Sequence, residues 1–200
     1  IGPDTTTDLS LGDAVMAMVN NRSSHGGYRE SIVLSVDSVA LIPKGVSLVE
    51  AATLPMNGLT AKQSLDQLAL KPGQTLAVTG AAGCYGGYVI QLAKQAGLRV
   101  IADASPADEA LVRSFGADTV VPRGQDIAGQ IRKVVPNGVD GLADGSYQSE
   151  LSIGAVRDGG GFATVRGWSM EQRGIVCHAT WVRQYDHRAD LLRQLRQWSQ

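Results

Sequence analysis

The chain has 200 residues, of which 44% are hydrophobic, a formal net charge of −1 and a pI of about 6.3. A chain of this length can bury roughly 70% of its unfolded surface in a core. Its nearly neutral charge excludes a general attraction to nucleic acid or to an anionic membrane, so we expect neither as a partner. The sequence shows no signal peptide and no apolar stretch of membrane length, and Cys84 and Cys177 are expected as free thiols. These features predict a cytoplasmic protein that binds its partner in a pocket.

The first 46 residues are predicted to be the later strands of a small β-rich domain. Short apolar runs at residues 13–19, at residues 28–33 and up to Ile42 alternate with polar loops. Three short strands without a helix cannot bury a core by themselves. We therefore expect residues 1–46 to be part of a domain whose beginning lies outside the chain.

Helical periodicity begins at residue 47. Ser47, with Glu50 three residues later, predicts a capping box at the start of a short helix. Apolar side chains at positions 59, 61, 65, 68 and 69 predict a second helix, which the sequence Lys71-Pro72-Gly73 ends. We assign residues 47–200 to the second domain.

Residues 75–105 predict a strand, a glycine-rich turn, a helix and a second strand that ends in an acid. Gly80, Gly83 and Gly86 follow the apolar run at residues 76–79, and Asp103 ends the second run 17 residues after Gly86. Glycines at this spacing permit a tight turn, close approach of backbone N–H groups to a pyrophosphate, and close packing of helix on strand. The order of the elements favours a dinucleotide-binding crossover over a turn that only packs closely.

The alternation of strands and helices then continues to the end of the chain. Further strands are predicted at residues 119–121, 139–143, 162–165 and 175–182, with helices at 106–115, 126–134, 148–156 and 188–198. Six strands of this kind predict an α/β fold with a doubly wound, mostly parallel sheet. Ligands bind such sheets at the carboxyl ends of the strands. The turn after the first strand, Asp103–Ser105, Arg123, residues 144–146 and Arg166–Gly167 are expected along that edge.

Several of these motifs together resemble one known family. Residues 12–15 (Gly-Asp-Ala-Val), Gly27-Tyr28, residues 51–61 and residues 79–83 (Thr-Gly-Ala-Ala-Gly) are similar to the quinone oxidoreductase branch of the medium-chain dehydrogenase/reductase superfamily. The resemblance covers nearly the whole chain. It implies a GroES-like catalytic domain, present here in part as residues 1–46, beside a Rossmann domain. It also implies that the chain lacks both ends of a complete member.

The resemblance implies a zinc-independent enzyme that transfers hydride from NADPH or NADH to a quinone or an α,β-unsaturated carbonyl. The nicotinamide cofactor carries the chemistry, and the protein orients it in a dry cleft. The catalytic acid is unknown, and the substrate cannot be named. A homodimer is an open possibility, because strands that lack their partners leave open edges. We also expect the chain to bind cofactor more readily than it reduces substrate. The candidate cofactor-binding residues are Asn57, Thr60, Gly80, Ala82, Gly83, Cys84, Tyr85, Gly86, Asp103, Ser105, Arg123, Val165, Arg166 and Gly167.

Three departures from the family pattern bear on the site. Cys84 and Tyr85 replace the usual glycine and valine, so that a bulky ring stands beside the expected pyrophosphate position, unless Tyr85 packs against the neighbouring domain. Asp108 replaces a lysine that is a phosphate partner in relatives. Asn57 precedes the Gly58-Leu59-Thr60-Ala61 motif, and its amide either bonds cofactor or substrate or only caps the helix.

Zinc is not expected. The interval from Gly12 to Tyr28, which in zinc-dependent relatives carries four cysteines, has none here, and this excludes a structural zinc. His25, His178 and His187 lack ligand spacing: His25 is interpreted as solvated and His178 as a core or cleft residue. A catalytic zinc is not formally excluded, because its first ligands would precede Ile1.

Two other classes of protein share features with this sequence. The short-chain dehydrogenases share the Val78-Thr79-Gly80 opening but need a Tyr-x-x-x-Lys pair, and no tyrosine of this sequence has lysine four residues later. The other rival is a catalytically silent dinucleotide-binding or sensing protein of the same fold. Turnover of quinones or enones by the complete polypeptide separates that rival from an enzyme.

The choice between NADPH and NADH depends on a few side chains. Asp103 can accept hydrogen bonds from both adenosine ribose hydroxyls, which favours NADH, and Asp103 and Asp108 would repel a 2′-phosphate. Ser105 and Arg123 are placed to bind that phosphate, and the position of Arg123 serves this purpose in relatives. One arginine can offset one carboxylate, particularly if Asp103 turns towards a backbone N–H. We therefore prefer NADPH slightly.

Overall fold

The computed structural model describes residues 1–20 and 26–198. By their internal contacts they form two compact units. The first unit consists of Ile1–Leu59 with Val182–Gln200, and the second is Thr60–Trp181. The chain therefore enters the second unit between Leu59 and Thr60 and leaves it after Trp181.

The second unit is built on a parallel sheet. Its strands are β3 (Thr75–Thr79), β4 (Arg99–Ala104), β5 (Thr119–Pro122), β6 (Val139–Asp144), β7 (Val156–Thr164) and β8 (Val176–Ala179). Its helices are α3 (Cys84–Gln95), α4 (Glu109–Ser114), α5 (Ile127–Val134) and α6 (Ser149–Ser152), together with the later part of α2 (Leu54–Leu68). The spatial order of the strands is β5-β4-β3-β6-β7-β8, and every pair is parallel.

This strand order is that of a doubly wound α/β sheet. The chain moves outwards from β3 through β4 to β5 and then returns to the other side of β3 with β6. The direction of winding reverses between β3 and β6, and such a switch point is where ligands bind in open α/β sheets. The predicted fold class is confirmed, and the turns that follow β3 and β6 lie side by side.

The core of the second unit explains why these strands form. β3, β4 and β6 are buried almost throughout, and buried parallel strands need apolar runs rather than alternation. One buried cluster joins the sheet to α5 and includes Ile101, Ile131, Leu142 and Phe162. Trp168 packs edge-to-face on Phe162 with ring centroids 5.3 Å apart. This packing holds the segment that follows β7 against the core.

The first unit contains few regular elements. β1 (Val15–Ala17) pairs with β2 (Val39–Leu41) in an antiparallel ladder, and α1 (Leu48–Ala51) has the predicted capping box of Ser47 and Glu50. α7 (Ala189–Trp198) completes the unit, where the Nε atom of Arg196 donates to the Ile42 carbonyl at 3.0 Å. The division of the chain by domain type after residue 46 stays a prediction.

Several predicted elements differ from the structure. Residues 28–33 form no strand, and Tyr28 and Val33 are each 96% exposed, because no described segment pairs with them. α2 begins at Leu54 rather than residue 59, since proline is tolerated in a first helical turn and Pro55 does not interrupt it. The helix predicted at residues 148–156 shortens to α6 and a 3₁₀ turn, and β7 begins already at Val156.

Candidate functional site

The three glycines of the turn after β3 do separate tasks. Gly80 has φ +67°, a conformation that side chains rarely adopt. Gly83 is the N-cap of α3 in an extended conformation, without a side-chain cap. A Cβ on Gly86 would lie 2.5 Å from the Gly80 oxygen, so only glycine allows α3 to approach the turn this closely. The structure thus shows the predicted tight turn at Gly80 and the close packing at Gly86, while a role of this turn towards a pyrophosphate stays a prediction.

The N-terminus of α3 offers backbone donors to an anion. Cys84, Tyr85 and Gly86 are the first three residues of the helix, and amides at these positions have no intrahelical carbonyl to bond. Gly83 and Cys84 are exposed, so an anion can reach this end of the helix. The amide of Gly83 itself donates to the Gly80 carbonyl at 3.0 Å, which removes it from the predicted set of donors. The residues present thus fit a pyrophosphate, held by amides and by the positive end of the helix dipole.

Tyr85 points into the second unit. Its hydroxyl donates to the Ser64 Oγ atom at 2.8 Å, and a Cβ added to Gly145 would lie 2.7 Å from its ring. Burial raises the pKa of the Tyr85 phenol above its ordinary value, an effect that the Ser64 hydrogen bond opposes and the nearby Asp144 charge reinforces. The phenol therefore stays protonated as a donor. These contacts lie within one unit, and the ring packs there rather than into the space before the helix.

The residues predicted to select the cofactor do come together. The side chain of Asp103 is fully buried, and its Oδ1 atom accepts from the Ala81 amide at 3.0 Å. Arg123 lies 3.5 Å from Asp103 and 3.8 Å from Asp108. Ser105 donates to Asp108 at 2.7 Å. The cluster combines one half-exposed cation with two carboxylates.

Asp103 is turned towards the glycine turn and away from solvent. Burial raises the pKa of its carboxyl above the ordinary value, while the Ala81 amide and Arg123 oppose that rise. Its Oδ2 atom makes no hydrogen bond among the described residues. Asp103 therefore braces the turn, and the alternative that it turns towards a backbone N–H is the one found.

The turn after β6 depends on Asp144, which was expected at the carboxyl edge of the sheet but had no predicted role. The buried carboxylate accepts from the Thr79 hydroxyl at 2.7 Å, from the Ser146 amide at 3.0 Å and from the Ser149 amide at 2.9 Å. A Cβ on Gly80 would lie 2.8 Å from the Gly145 backbone, so the two turns touch. An acid directly after an apolar strand and before serines was the available signal.

Residues 165–167 follow β7 on the same edge of the sheet. The Arg166 guanidinium stacks over the Tyr147 ring, 4.3 Å from its centroid. Gly167 has φ +73°, and Tyr147 has φ +67° although it is not a glycine. Uncommon backbone conformations of this kind occur at ligand sites, and these lie beside the switch point.

The predicted residues of α2 occupy the helix interior. Asn57 is the fourth residue of the helix, and its side-chain amide donates to the Thr53 carbonyl at 3.4 Å, so it is not an N-cap. Thr60 begins the second unit and accepts through its carbonyl from the Ser64 hydroxyl at 3.1 Å. Their roles towards a cofactor stay predictions.

The structure gives no support to a metal site in the part of the chain that it describes. No three histidine, cysteine, aspartate or glutamate side chains of residues 1–20 and 26–198 could hold a metal ion together. His178 is partly buried in β8, and burial lowers its pKa. His25 lies outside the described residues. Both cysteines are free, and no described helix has the length and hydrophobicity to cross a membrane.

A parallel sheet with this strand order, and a glycine turn that leads into a helix at its switch point, define a Rossmann-like unit. The family model described as "Zinc-binding dehydrogenase" matches residues 84–184. The chain belongs to this family, within the medium-chain dehydrogenase/reductase superfamily, as its motifs indicated.

Individual relatives are similar over most of this chain. It is 30% identical over 162 residues to the 2-methylene-furan-3-one reductase of Solanum lycopersicum, with 80% of this chain and 41% of the relative covered. It is 32% identical over 141 residues to the trans-enoyl reductase pgmF of Aspergillus terreus, covering 68% of this chain and 40% of the relative. The chain thus spans about two fifths of the length of these relatives.

Two solved structures match nearly the whole chain. The quinone oxidoreductase of Coxiella burnetii has a TM-score of 0.78 and 25% identity over 96% of this chain and 61% of its own. A mycobacterial protein complexed with NADPH has a TM-score of 0.78 and 25% identity over 98% of this chain and 65% of its own. The described fold is therefore shared with these proteins.

Proposed function

We propose that this chain is part of an NAD(P)H-dependent oxidoreductase that transfers hydride to a quinone or an α,β-unsaturated carbonyl. The observation that carries the proposal is the glycine turn at the switch point, which places the exposed N-terminus of α3, at Gly83 and Cys84, beside the turn that follows β6. Relatives named as enoyl or enone reductases and as a quinone oxidoreductase support the reaction class.

The residues of this chain act by binding and orienting. The amides at the start of α3 hold the pyrophosphate, and Asp103 braces the preceding turn through the Ala81 amide. The bound nicotinamide supplies the hydride from its C4 atom. We assign residues 165–167 and Thr60 to the nicotinamide end and leave Asn57 as a candidate there. A positioned cofactor lowers the barrier because less freedom of motion is lost at the reaction step.

The geometry around Arg123 supports a preference for NADPH. The acid that would favour NADH is fully buried, and its Oδ1 atom accepts from the Ala81 amide, so it is poorly accessible to ribose hydroxyls. Arg123 keeps 39% of its side chain exposed, and the Ser105 hydroxyl lies in the same cluster. A guanidinium can hold a 2′-phosphate by two parallel hydrogen bonds.

The test compares affinities of the protein for both cofactors before and after Arg123→Ala. Loss of a charged hydrogen bond costs about 1.5–3 kcal/mol, and partial exposure places this case at the lower end, so NADPH binding should weaken about 10-fold and NADH binding much less. Arg113→Ala is the matched control, since Arg113 pairs with Glu109 on the surface of α4. Equal weakening of both cofactors would show that Arg123 does not contact the phosphate, and NADH would then be the better assignment.

An activity assay on the same protein distinguishes an enzyme from a catalytically silent binding protein. We expect oxidation of the reduced cofactor with a quinone or an enone as acceptor, without added zinc. Cofactor binding without turnover of either class by the complete polypeptide would favour the sensing alternative. We further propose a cytoplasmic location and a homodimer, the latter because β8 is an open edge of the sheet.

A further inference from the structure

A buried chain of hydroxyl groups starts at the glycine turn. The Tyr85 hydroxyl donates to Ser64 at 2.8 Å, the Ser64 and Thr180 hydroxyls lie 2.9 Å apart, and Thr180 donates to the Gln67 Oε1 atom at 2.9 Å. Ser64 and Thr180 are almost completely inaccessible to solvent. A hydroxyl donates one proton, so Tyr85 donates to Ser64, Thr180 donates to Gln67, and Ser64 shares its proton between the Thr180 oxygen and the Thr60 carbonyl. Deleting a member removes one hydrogen bond from each of its buried neighbours.

Members of the hydroxyl chain lie where the polypeptide enters and leaves the second unit. The chain enters at Thr60, whose carbonyl accepts from Ser64 one helical turn later. It leaves after Trp181, directly beyond Thr180. The backbone amide of Thr180 donates to the Thr164 carbonyl at 2.8 Å, which fixes the exit segment to the end of β7. The hydroxyl chain thus ties both crossing segments to each other.

The Tyr85 end of the hydroxyl chain is fixed by α3, the helix whose first amides are proposed to hold the pyrophosphate. Tyr85 supplies one of these amides from its backbone and the first hydroxyl of the chain from its side chain. Its ring lies against Gly145, where a Cβ would come within 2.7 Å, so the ring has little room to turn. An anion that fixes the first turn of α3 must therefore also fix the position of the Tyr85 hydroxyl.

We propose that Tyr85 is a positioning residue that couples occupancy of the pyrophosphate turn to the two segments, residues 60–67 and 179–181, through which the chain enters and leaves the second unit. The inference rests on the proposed function, because it takes the ligand of the turn to be a nicotinamide dinucleotide. Coupling of this kind is reciprocal: if the ligand orders the segments, the ordered segments tighten binding of the ligand. A tyrosine that only fills space gives no such link.

The test is hydrogen–deuterium exchange of the protein with and without NADPH, and separately with NADH. In the wild type, cofactor should slow exchange of residues 82–87 and also of the two crossing segments. In Tyr85→Phe, which keeps the ring and removes the hydroxyl, residues 82–87 should still be protected while protection of the two segments falls to less than half. The dissociation constant of the cofactor should rise about 3- to 10-fold.

Two further variants keep the test decisive. Thr180→Val removes a hydroxyl at the far end of the chain and should reproduce the loss of segment protection, including where Tyr85→Phe folds poorly. Ser114→Ala removes a hydroxyl that donates to the Leu111 carbonyl on α4 and should behave as the wild type. If cofactor protects the two segments in both Tyr85→Phe and Thr180→Val as it does in the wild type, this inference is overturned, while the proposed function is not affected. If neither cofactor protects residues 82–87 in the wild type, the proposed function fails, and this inference fails with it.

Discussion

Replacing Gly86 with alanine should destabilise the second unit and weaken cofactor binding, whereas the same replacement at Gly87 should do neither. The two glycines are neighbours in α3, so alanine brings a similar gain in helix propensity of up to about 1 kcal/mol at both. They differ in what a Cβ meets. At Gly86 it would lie 2.5 Å from the Gly80 oxygen and 2.7 Å from the Ala81 Cα atom, both of them backbone.

The expected magnitude follows from these contacts. An ordinary contact needs about 1 Å more room at Gly86, and overpacking of this kind costs about 1–3 kcal/mol. The net change at Gly86 should therefore be a loss of roughly 1–2 kcal/mol in the free energy of unfolding. At Gly87 the three atoms nearest to the Cβ all belong to the Phe115 ring, the first of them 3.0 Å away, and a side chain can move by a few tenths of an ångström. The net change there should be close to zero.

The assay is denaturant unfolding of both variants, followed by titration with cofactor. The Gly80 carbonyl accepts a hydrogen bond from the Gly83 amide, so its displacement also shifts that amide and the first turn of the helix. Loss of one charge-assisted hydrogen bond to the pyrophosphate weakens binding about 10-fold. Equal stability and equal affinity in Gly86→Ala and Gly87→Ala would refute the close-packing account of the turn.

Two further predictions concern a buried carboxyl and a helix cap. Because burial raises the Asp103 pKa above the ordinary 3.8, ionisation on raising the pH favours the unfolded state, and Asp103→Asn should gain stability relative to wild type as the pH rises from about 3.8 to neutrality. Unfolding free energies at both ends of that range check the sign, and a gain confined to acid pH would contradict it. Ser47→Ala should cost about 0.5–2 kcal/mol, since it removes the acceptor for the Glu50 amide and one of the two donors to the Glu50 carboxylate, and it should leave cofactor affinity unchanged.

The sequence was sufficient for the sheet and for the glycine turn because both depend on local signals. Apolar runs such as β3 and β6, separated by helical periodicity, predict a parallel sheet from a single chain. The tasks of Gly80 and Gly86 follow from the spacing of the glycines along the turn. The strand predicted at residues 28–33 failed because strand formation depends on a partner, and apolar periodicity does not reveal whether one is available.

The side-chain directions at the site could not be predicted in the same way. Asp103 ends its strand as expected, but its carboxylate turns towards Ala81 because the turn presents an amide there. Tyr85 was expected beside the pyrophosphate or against the other domain, and instead its hydroxyl reaches Ser64. Both outcomes depend on contacts between residues 21 or 22 positions apart in the chain, which local patterns do not encode.

The strand order also determines when each strand can pair with its neighbours during synthesis. β3 lies at the centre of the sheet, yet its neighbour β6 ends at Asp144, about 65 residues later along the chain. The first unit waits longer still, since α7 supplies the Arg196 contact to Ile42 only after the whole second unit has left the ribosome. At about 5–20 residues per second, the early segments stay incomplete for several seconds or more. Their apolar side chains are open to chaperones throughout that interval, and a stall in translation within the second unit prolongs the exposure of the first.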